Sequence, residues 1–252
     1  MKVRTIIVGC GWAGSIHADT ISRNQVSELV GVVDKDRFRA ESLANKYGIP
    51  FFISLEELFE TDAEFDAAVV STPVDVHFEA CKALIEAGKA VFMEKPLVKE
   101  IEQAFAIKKM IEDNGVYFGI NYNQRFASTI EKLKNSISKT EVFHLLKANM
   151  FQYVPKLNQG EVEKLFLITE ACCHLVDTLR YVTNSEIRAV QALGASIEHD
   201  YFTDIVASLK FDNGSIGILT NTFEGGKLDS QHIFQEIEAI TDCARYVAQN
   251  LY

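Results

Sequence analysis

A carboxylate, an amine and a proline close one apolar run of the sequence: Val91-Phe92-Met93 is followed by Glu94-Lys95-Pro96. An ammonium at the end of a buried strand can donate a hydrogen bond to an oxygen whose charge changes during a reaction, and can pass a proton to or from it. Pro96 stiffens the exit and removes a donor. The same residues also read as an ordinary surface Glu–Lys pair beyond a strand. A second set, Glu170, His174 and Asp177, is spaced four and then three residues apart. That spacing puts all three on one stripe of a helix expected over Thr169–Val182. A carboxylate touching His174 would fix its tautomer and raise its basicity, as suits an imidazole that accepts a hydroxyl proton. The helix also needs a core face, which Leu175, Val176 and Leu179 supply, and a lone histidine on such a helix is more often structural. Metal ligation by Glu170, Cys173 and His174 is rejected, because neighbouring helical positions diverge and no distant ligand pair appears.

Near the start, Gly9-Cys10-Gly11-Trp12-Ala13-Gly14 fits G-x-G-x-x-G, between an apolar run at Thr5–Val8 and a helical pattern carrying Ile16, Ala18 and Ile21. The first glycine permits a tight turn, the second lets backbone approach a diphosphate, and the third allows close helix-to-strand packing. Unpaired amides around Trp12 and Ala13, together with the helix dipole, favour the anion. Asp34 ends the second strand, where it would accept hydrogen bonds from ribose hydroxyls and repel a 2′-phosphate, so NAD is the expected cofactor. Arg37, just beyond, would suit that phosphate and keeps NADP open.

Ser71-Thr72-Pro73-Val74-Asp75-Val76-His77 follows the fourth strand. Ser71, Thr72 and Pro73 read as lining the nucleotide crevice, and His77 either as a cofactor contact or as a helix-start residue with no ligand. Asn123 and Arg125, at the crossing between the two halves, read as contacts for the nicotinamide end or the substrate; Arg125 would equally brace a hinge. Tyr153 and Lys156, within the polar stretch Gln152 to Lys164, read as a substrate loop, and Phe223 to Asp229, with Gly225-Gly226, as a flexible lip.

The elements that must position these residues follow a βαβα order over the first 120 or so residues. Strands are expected at Thr5–Val8, Leu29–Asp34, Phe51–Ile53, Ala67–Ser71, Ala90–Met93 and Val116–Ile120, with amphipathic helices between them, which predicts a parallel sheet covered on both faces. Ser54 with Glu57 reads as a capping box, and Gly48, Gly88 and Gly115 as helix C-caps. After Arg125 the pattern changes to a helix at Thr129–Ile137, a long strand at Glu141–Val154, the helix carrying His174, and then mostly strands. Ile205, Ala207, Leu209 and Phe211 alternate with polar residues, and Asp212-Asn213-Gly214 supplies a hairpin turn before Ile216–Phe223. This half reads as an α+β domain with an open, mainly antiparallel sheet. Two domains are expected, 1–122 and 123–252.

The chain has 252 residues, 48% of them hydrophobic, and a net charge of -10. That is enough for two cores. The acidic balance argues against nucleic acid as the main partner, and no apolar run approaches a membrane span. Five cysteines without C-x-x-C spacing are the usage of a reducing, cytoplasmic protein.

Taken together, Gly9 to Gly14, "STPVDVH", "EKP" at Glu94 to Pro96, "NYNQRF" at Asn121 to Phe126 and "EACCHLVDTLRYV" at Glu170 to Val182 resemble the Gfo/Idh/MocA oxidoreductases, in the correct order and over nearly the whole chain. The resemblance implies a Rossmann domain followed by an α+β domain, NAD(P)-dependent oxidation or reduction of a sugar, cyclitol or related polyol, and homodimers or homotetramers built by apposing open sheets. It implies that Lys95 is catalytic and that Glu94 helps hold the nicotinamide ribose. Family members commonly carry Asp-x-x-x-His-x-x-Asp where this chain has Glu170, His174 and Asp177, so Glu170 stands in for the first aspartate and shares base and substrate-positioning roles with His174. They also usually continue past the point where this chain ends at Tyr252, so the second domain reads as C-terminally short: a natural short form, a truncated product, or a chain whose partner supplies the missing wall. A non-catalytic dinucleotide-binding sensor or interaction protein of the same fold is the alternative reading.

Overall fold

The computed structural model describes residues 1–137, 142–151, 168–196, 202–223 and 234–249. The chain divides into two compact units, Met1–Asn121 and Tyr122–Tyr252. In the first unit the elements are β1 (Val3–Val8), α1 (Trp12–Arg23), β2 (Ser27–Val33), α2 (Arg37–Tyr47), β3 (Phe51–Phe52), α3 (Leu55–Phe59), β4 (Ala67–Val70), α4 (His77–Glu86), β5 (Ala90–Met93), α5 (Ile101–Asn114) and β6 (Phe118–Ile120). The strands form one parallel sheet in the order β3-β2-β1-β4-β5-β6. Chain order reverses between β1 and β4, and an open sheet of this kind binds ligands beyond the carboxyl ends of the strands at that point.

Both faces of the sheet are buried, which is why its strands read as unbroken apolar runs. Ile6 and Val8 enter one core with Val70, Leu84 and Met93, while Ile7 between them enters the other with Val32, Leu43 and Val69. The local signals hold at the helix ends. Ser54 Oγ accepts from the Glu57 amide at 3.2 Å and Glu57 Oε2 accepts from the Ile53 amide at 2.6 Å, so the box reaches back one residue further than its usual form. Gly48 and Gly115 cap α2 and α5 in the left-handed region, at φ 68° and 63°; Gly88 adopts φ 68° one residue after the cap of α4.

The second unit contains α6 (Ser128–Ile137), β7 (Phe143–Phe151), α7 (Cys173–Thr183), β8 (Ile187–Ala195), β9 (Asp204–Phe211), β10 (Ile216–Thr222), β11 (Phe234–Thr241) and β12 (Arg245–Gln249). Its sheet runs β12-β11-β7-β10-β9-β8. Every pairing is antiparallel except that of β10 with β7. The sheet is therefore mixed and mainly antiparallel. Leu146, Ala148 and Met150 of β7 point into a core with Ile130 and Leu133 of α6 and Leu175 and Leu179 of α7.

The helix expected over Thr169–Val182 is two pieces. Ile168–Cys172 is a π-helical turn, and the α-helix begins only at Cys173. Glu170 falls within the π-helical turn, and His174 and Asp177 within the α-helix that follows it. Among the described residues no helix is long and apolar enough to cross a membrane.

Candidate functional site

The glycine turn joins the ends of three strands. Gly9 has φ +99°, a conformation that disfavours side chains, and its missing Cβ would lie 2.7 Å from the Ser71 carbonyl. A Cβ on Gly14 would stand 1.9 Å from the Gly9 oxygen, so helix and turn could not close. Gly11 differs: nothing lies within 4 Å of its missing Cβ, and no side chain caps the helix that starts after it. The turn is thus closed on its inner side and open where the first amides of α1, from Trp12 and Ala13 onward, lack side-chain partners. That is the form of an anion cradle.

Its supports come from β2 and β4. Asp34, past the end of β2, accepts from the Cys10 amide through Oδ2 at 2.7 Å and from the Asp36 amide through Oδ1 at 2.8 Å. Ser71 donates from Oγ to the Gly9 carbonyl at 2.9 Å and from its amide to the Val8 carbonyl at 2.8 Å. Its hydroxyl therefore laces the turn. Thr72 Oγ1 is buried without a hydrogen-bond partner among the described residues, and Pro73 beside it is exposed. The orphaned hydroxyl and the open side of Gly11 are what a bound dinucleotide would use. Arg37 starts α2 with its guanidinium 5.6 Å from the centre of the Phe51 ring, exposed at the crevice end of the sheet. Burial, with Asp34 adding to it, pushes the Cys10 thiol up to about 12, so this cysteine is an inert part of the turn.

At the end of β5, Glu94 is held by three polar contacts. Its Oε1 lies 2.6 Å from His17 Nε2 and accepts from Asn121 Nδ2 at 2.8 Å, and its Oε2 accepts from the Lys95 amide at 3.2 Å. Burial pushes the Glu94 carboxyl upward, but the His17 and Asn121 hydrogen bonds and the attraction of His17 outweigh it, and the group is held below its ordinary range. Lys95 is half-buried and is followed by a cis bond to Pro96. His17 and Asn121 were not among the residues expected from the sequence. The available signal was that His17 follows Gly14 by three residues and so shares its sheet-facing side of α1.

His77 does not face a ligand space. It is 1% exposed, with Nε2 2.8 Å from the Thr72 carbonyl and Nδ1 3.0 and 3.1 Å from those of Pro96 and Leu97. The expectation of a cofactor contact is corrected: both nitrogens are spent on backbone.

In the second unit, Asn123 and Arg125 lie on the 3-10 turn Asn123–Phe126. Arg125 is a brace. Its Nε and Nη2 donate to the two oxygens of Asp177 at 2.7 and 2.5 Å, and its guanidinium lies 5.8 Å from the Tyr122 ring and 5.4 Å from that of Tyr181. These contacts tie Arg125 to Asp177 within the second unit. The turn is held further by Gln124, which exchanges two 2.8 Å hydrogen bonds with Gln235 and accepts from Thr178 Oγ1 at 3.0 Å, all buried. His174 is 8% exposed and meets the Tyr122 ring edge-on at 6.5 Å. Burial pushes the Tyr122 phenol up to about 12, with Cys173 and Asp177 adding to the effect, so it stays a neutral wall for the imidazole. Glu170 lies in the π turn. Tyr153, Lys156, the stretch from 152 to 164 and the lip beyond Phe223 lie outside the described residues.

The chain is similar to several known proteins. The uncharacterized oxidoreductase YrbE of Bacillus subtilis is 26% identical over 229 residues, covering 88% of this chain and 67% of that protein. An inositol 2-dehydrogenase of Rhizobium meliloti is 34% identical over 126 residues, 50% of this chain and 38% of its own length. The crystal structure of GenD2 from gentamicin A biosynthesis in complex with NAD superposes with a TM-score of 0.86 at 22% identity, covering 98% of this chain and 72% of GenD2, a likeness of fold. Residues 3–122 match the family described as an oxidoreductase family with an NAD-binding Rossmann fold. That segment, with its glycine turn, its Asp34 support and its anchored Glu94, therefore belongs to the Gfo/Idh/MocA oxidoreductase family and is its NAD-binding Rossmann part.

Proposed function

We propose that the chain is an NAD(P)-dependent dehydrogenase that oxidises a CH–OH group, or reduces the matching carbonyl, on a sugar, cyclitol or related polyol. The observation that carries this reading is the fixing of Glu94, and through it the Lys95 amide, at the carboxyl end of β5 in a sheet whose switch point bears an open anion cradle. The likeness to an inositol 2-dehydrogenase supports the substrate class.

The residues fit the cofactor. Gly9, Gly11, Trp12, Ala13 and Gly14 would hold the diphosphate, Asp34 the adenosine ribose with Arg37 at its rim, Ser71, Thr72 and Pro73 the crevice wall, and Glu94 and Asn123 the nicotinamide end. When bound, the nicotinamide supplies the acceptor or donor of hydride. Lys95 holds the substrate oxygen by a hydrogen bond and carries its proton, and His174, shielded by Tyr122, serves as the second proton carrier with Glu170 beside it in sequence. Tyr153 belongs to the substrate contacts in this reading.

Turnover of a panel of inositols, sugars and nucleotide sugars, followed by nicotinamide absorbance, tests the proposal. At least one compound should react, and Lys95→Met should lower kcat by about a hundredfold to a thousandfold with NADH still bound. NADH binding without turnover of any compound would leave a binding protein instead, and no uptake of NADH would end the reading altogether. The five cysteines are free thiols, which suits a reducing cytoplasm. Leu193, Val206 and Ile216, exposed on the outer face of the second sheet, suit self-association into a homodimer or homotetramer; a monomer by light scattering would exclude it.

A further inference from the structure

Two imidazoles close on the segment Glu94–Leu97 from opposite ends. His17 comes from α1, the helix that opens at the glycine turn, and shares Glu94 Oε1 with Asn121. Its ring also stands edge-on to Phe92 at 6.0 Å and 81°. The other oxygen of Glu94 accepts from the Lys95 amide at 3.2 Å, which ties the anchored carboxylate to the backbone that carries Lys95. On the far side, His77 bridges the Thr72 carbonyl after β4 to the Pro96 and Leu97 carbonyls after β5. Carbonyl oxygens only accept. A ring with hydrogen on both nitrogens therefore satisfies both loops, and one with a single hydrogen satisfies one of them. Lys95 lies between the two fastenings.

We infer that His17 and His77 are the positioning residues of Lys95, the first through the Glu94 carboxylate and the Lys95 amide, the second through the carbonyls that follow Lys95. The inference deepens the dehydrogenase reading and rests on it for the role of Lys95. Its mechanical part stands on the hydrogen bonds alone. It also links the two ends of the proposed nucleotide site, since the helix that would receive the diphosphate carries the imidazole that fixes the residue before the lysine.

The test is hydrogen exchange by mass spectrometry on the cofactor-free protein, comparing His17→Leu, His17→Gln, His77→Leu and His77→Gln with the parent. Loss of either fastening should speed exchange in peptides spanning Glu94–Lys99 by about tenfold, with peptides from β1 and β2 unchanged. His17→Gln should restore the parent rate, because its carboxamide still donates to Glu94. His77→Gln, keeping one direction of donation, should fall between parent and leucine variant, and it also serves if His77→Leu does not fold. Uniform acceleration across the unit, or a glutamine variant at position 17 as fast as the leucine one, would reduce both histidines to general packing and overturn the inference. With a reactive substrate in hand, the leucine variants should lose about tenfold in kcat and less than that in NADH affinity, read from the fluorescence of Trp12, the single tryptophan. The reverse split would also overturn it. A parent protein that takes up no NADH would sink the dehydrogenase reading, and the exchange measurement would still decide this one.

Discussion

Asp34 and the amide of Cys10 are joined by a 2.7 Å hydrogen bond, so the acid that ends the second strand also holds the glycine turn. Each oxygen of Asp34 accepts one backbone amide and keeps a lone pair for a ribose hydroxyl. Asp34→Ala should therefore weaken NADH binding by about tenfold to a hundredfold, the range for a hydrogen bond to a charged group. Asp34→Asn keeps an acceptor for Cys10 but removes the charge that repels a 2′-phosphate, and should narrow any preference for NADH over NADPH. Titration of Trp12 fluorescence with each cofactor measures both. A parent protein that binds NADPH more tightly than NADH would contradict this account of Asp34.

Gly14 and Gly11 should respond in opposite ways to the same added methyl. At Gly14 the new Cβ would sit 1.9 Å from the Gly9 oxygen, and Gly14→Ala is expected to destabilise the protein by more than about 3 kcal/mol. At Gly11 nothing lies within 4 Å, so Gly11→Ala should leave stability within about 0.5 kcal/mol. Its methyl would occupy the open side of the cradle, and NADH affinity should fall while thermal unfolding stays put. Equal effects of the two substitutions on unfolding would show that the turn is not closed on one side only.

Removing the Arg125 guanidinium leaves the Asp177 carboxylate, with a side chain only 4% exposed, without its ion pair. Breaking such a pair from one side costs about 2–4 kcal/mol, the upper end discounted here because Arg125 itself is 38% exposed and water can follow. Arg125→Met should reach that loss in urea unfolding, and Arg125→Met with Asp177→Leu should recover part of it. Additive losses in the double variant would mean that the two residues do not act as a pair.

Much of this was legible in the sequence wherever the signal is local. The run Ala90–Met93 became β5 residue for residue, and the Ser54 cap formed from neighbours in the chain. What the sequence hid depends on distance. His17 meets Glu94 across 77 residues and Arg125 meets Asp177 across 52, and no periodicity along one helix announces a partner on another element. The π turn at Ile168–Cys172 escaped for a different reason. A π turn leaves the apolar pattern of the neighbouring α-helix unchanged, so Ile168–Cys172 read as the first turn of the helix that carries His174. Strand pairing is equally silent in the sequence, since β10 looks the same whether it lies parallel or antiparallel to β7.

The Glu94 anchor carries its own pH signature. Burial raises the carboxyl, the His17 and Asn121 hydrogen bonds more than offset that, and the folded-state value lies below the ordinary 4.5. A carboxyl depressed in the folded state contributes stability that is fully present above its unfolded value and lost as pH falls through the folded one. The stability difference between the parent and Glu94→Gln should therefore be level just above that range, shrink as the pH drops below about 4.5, and level off once Glu94 itself binds a proton. Urea unfolding at a series of acid pH values measures it directly. A difference that does not change with pH would mean that Glu94 gains nothing from its charged form, and that His17 and Asn121 hold a neutral acid as well as they hold a carboxylate.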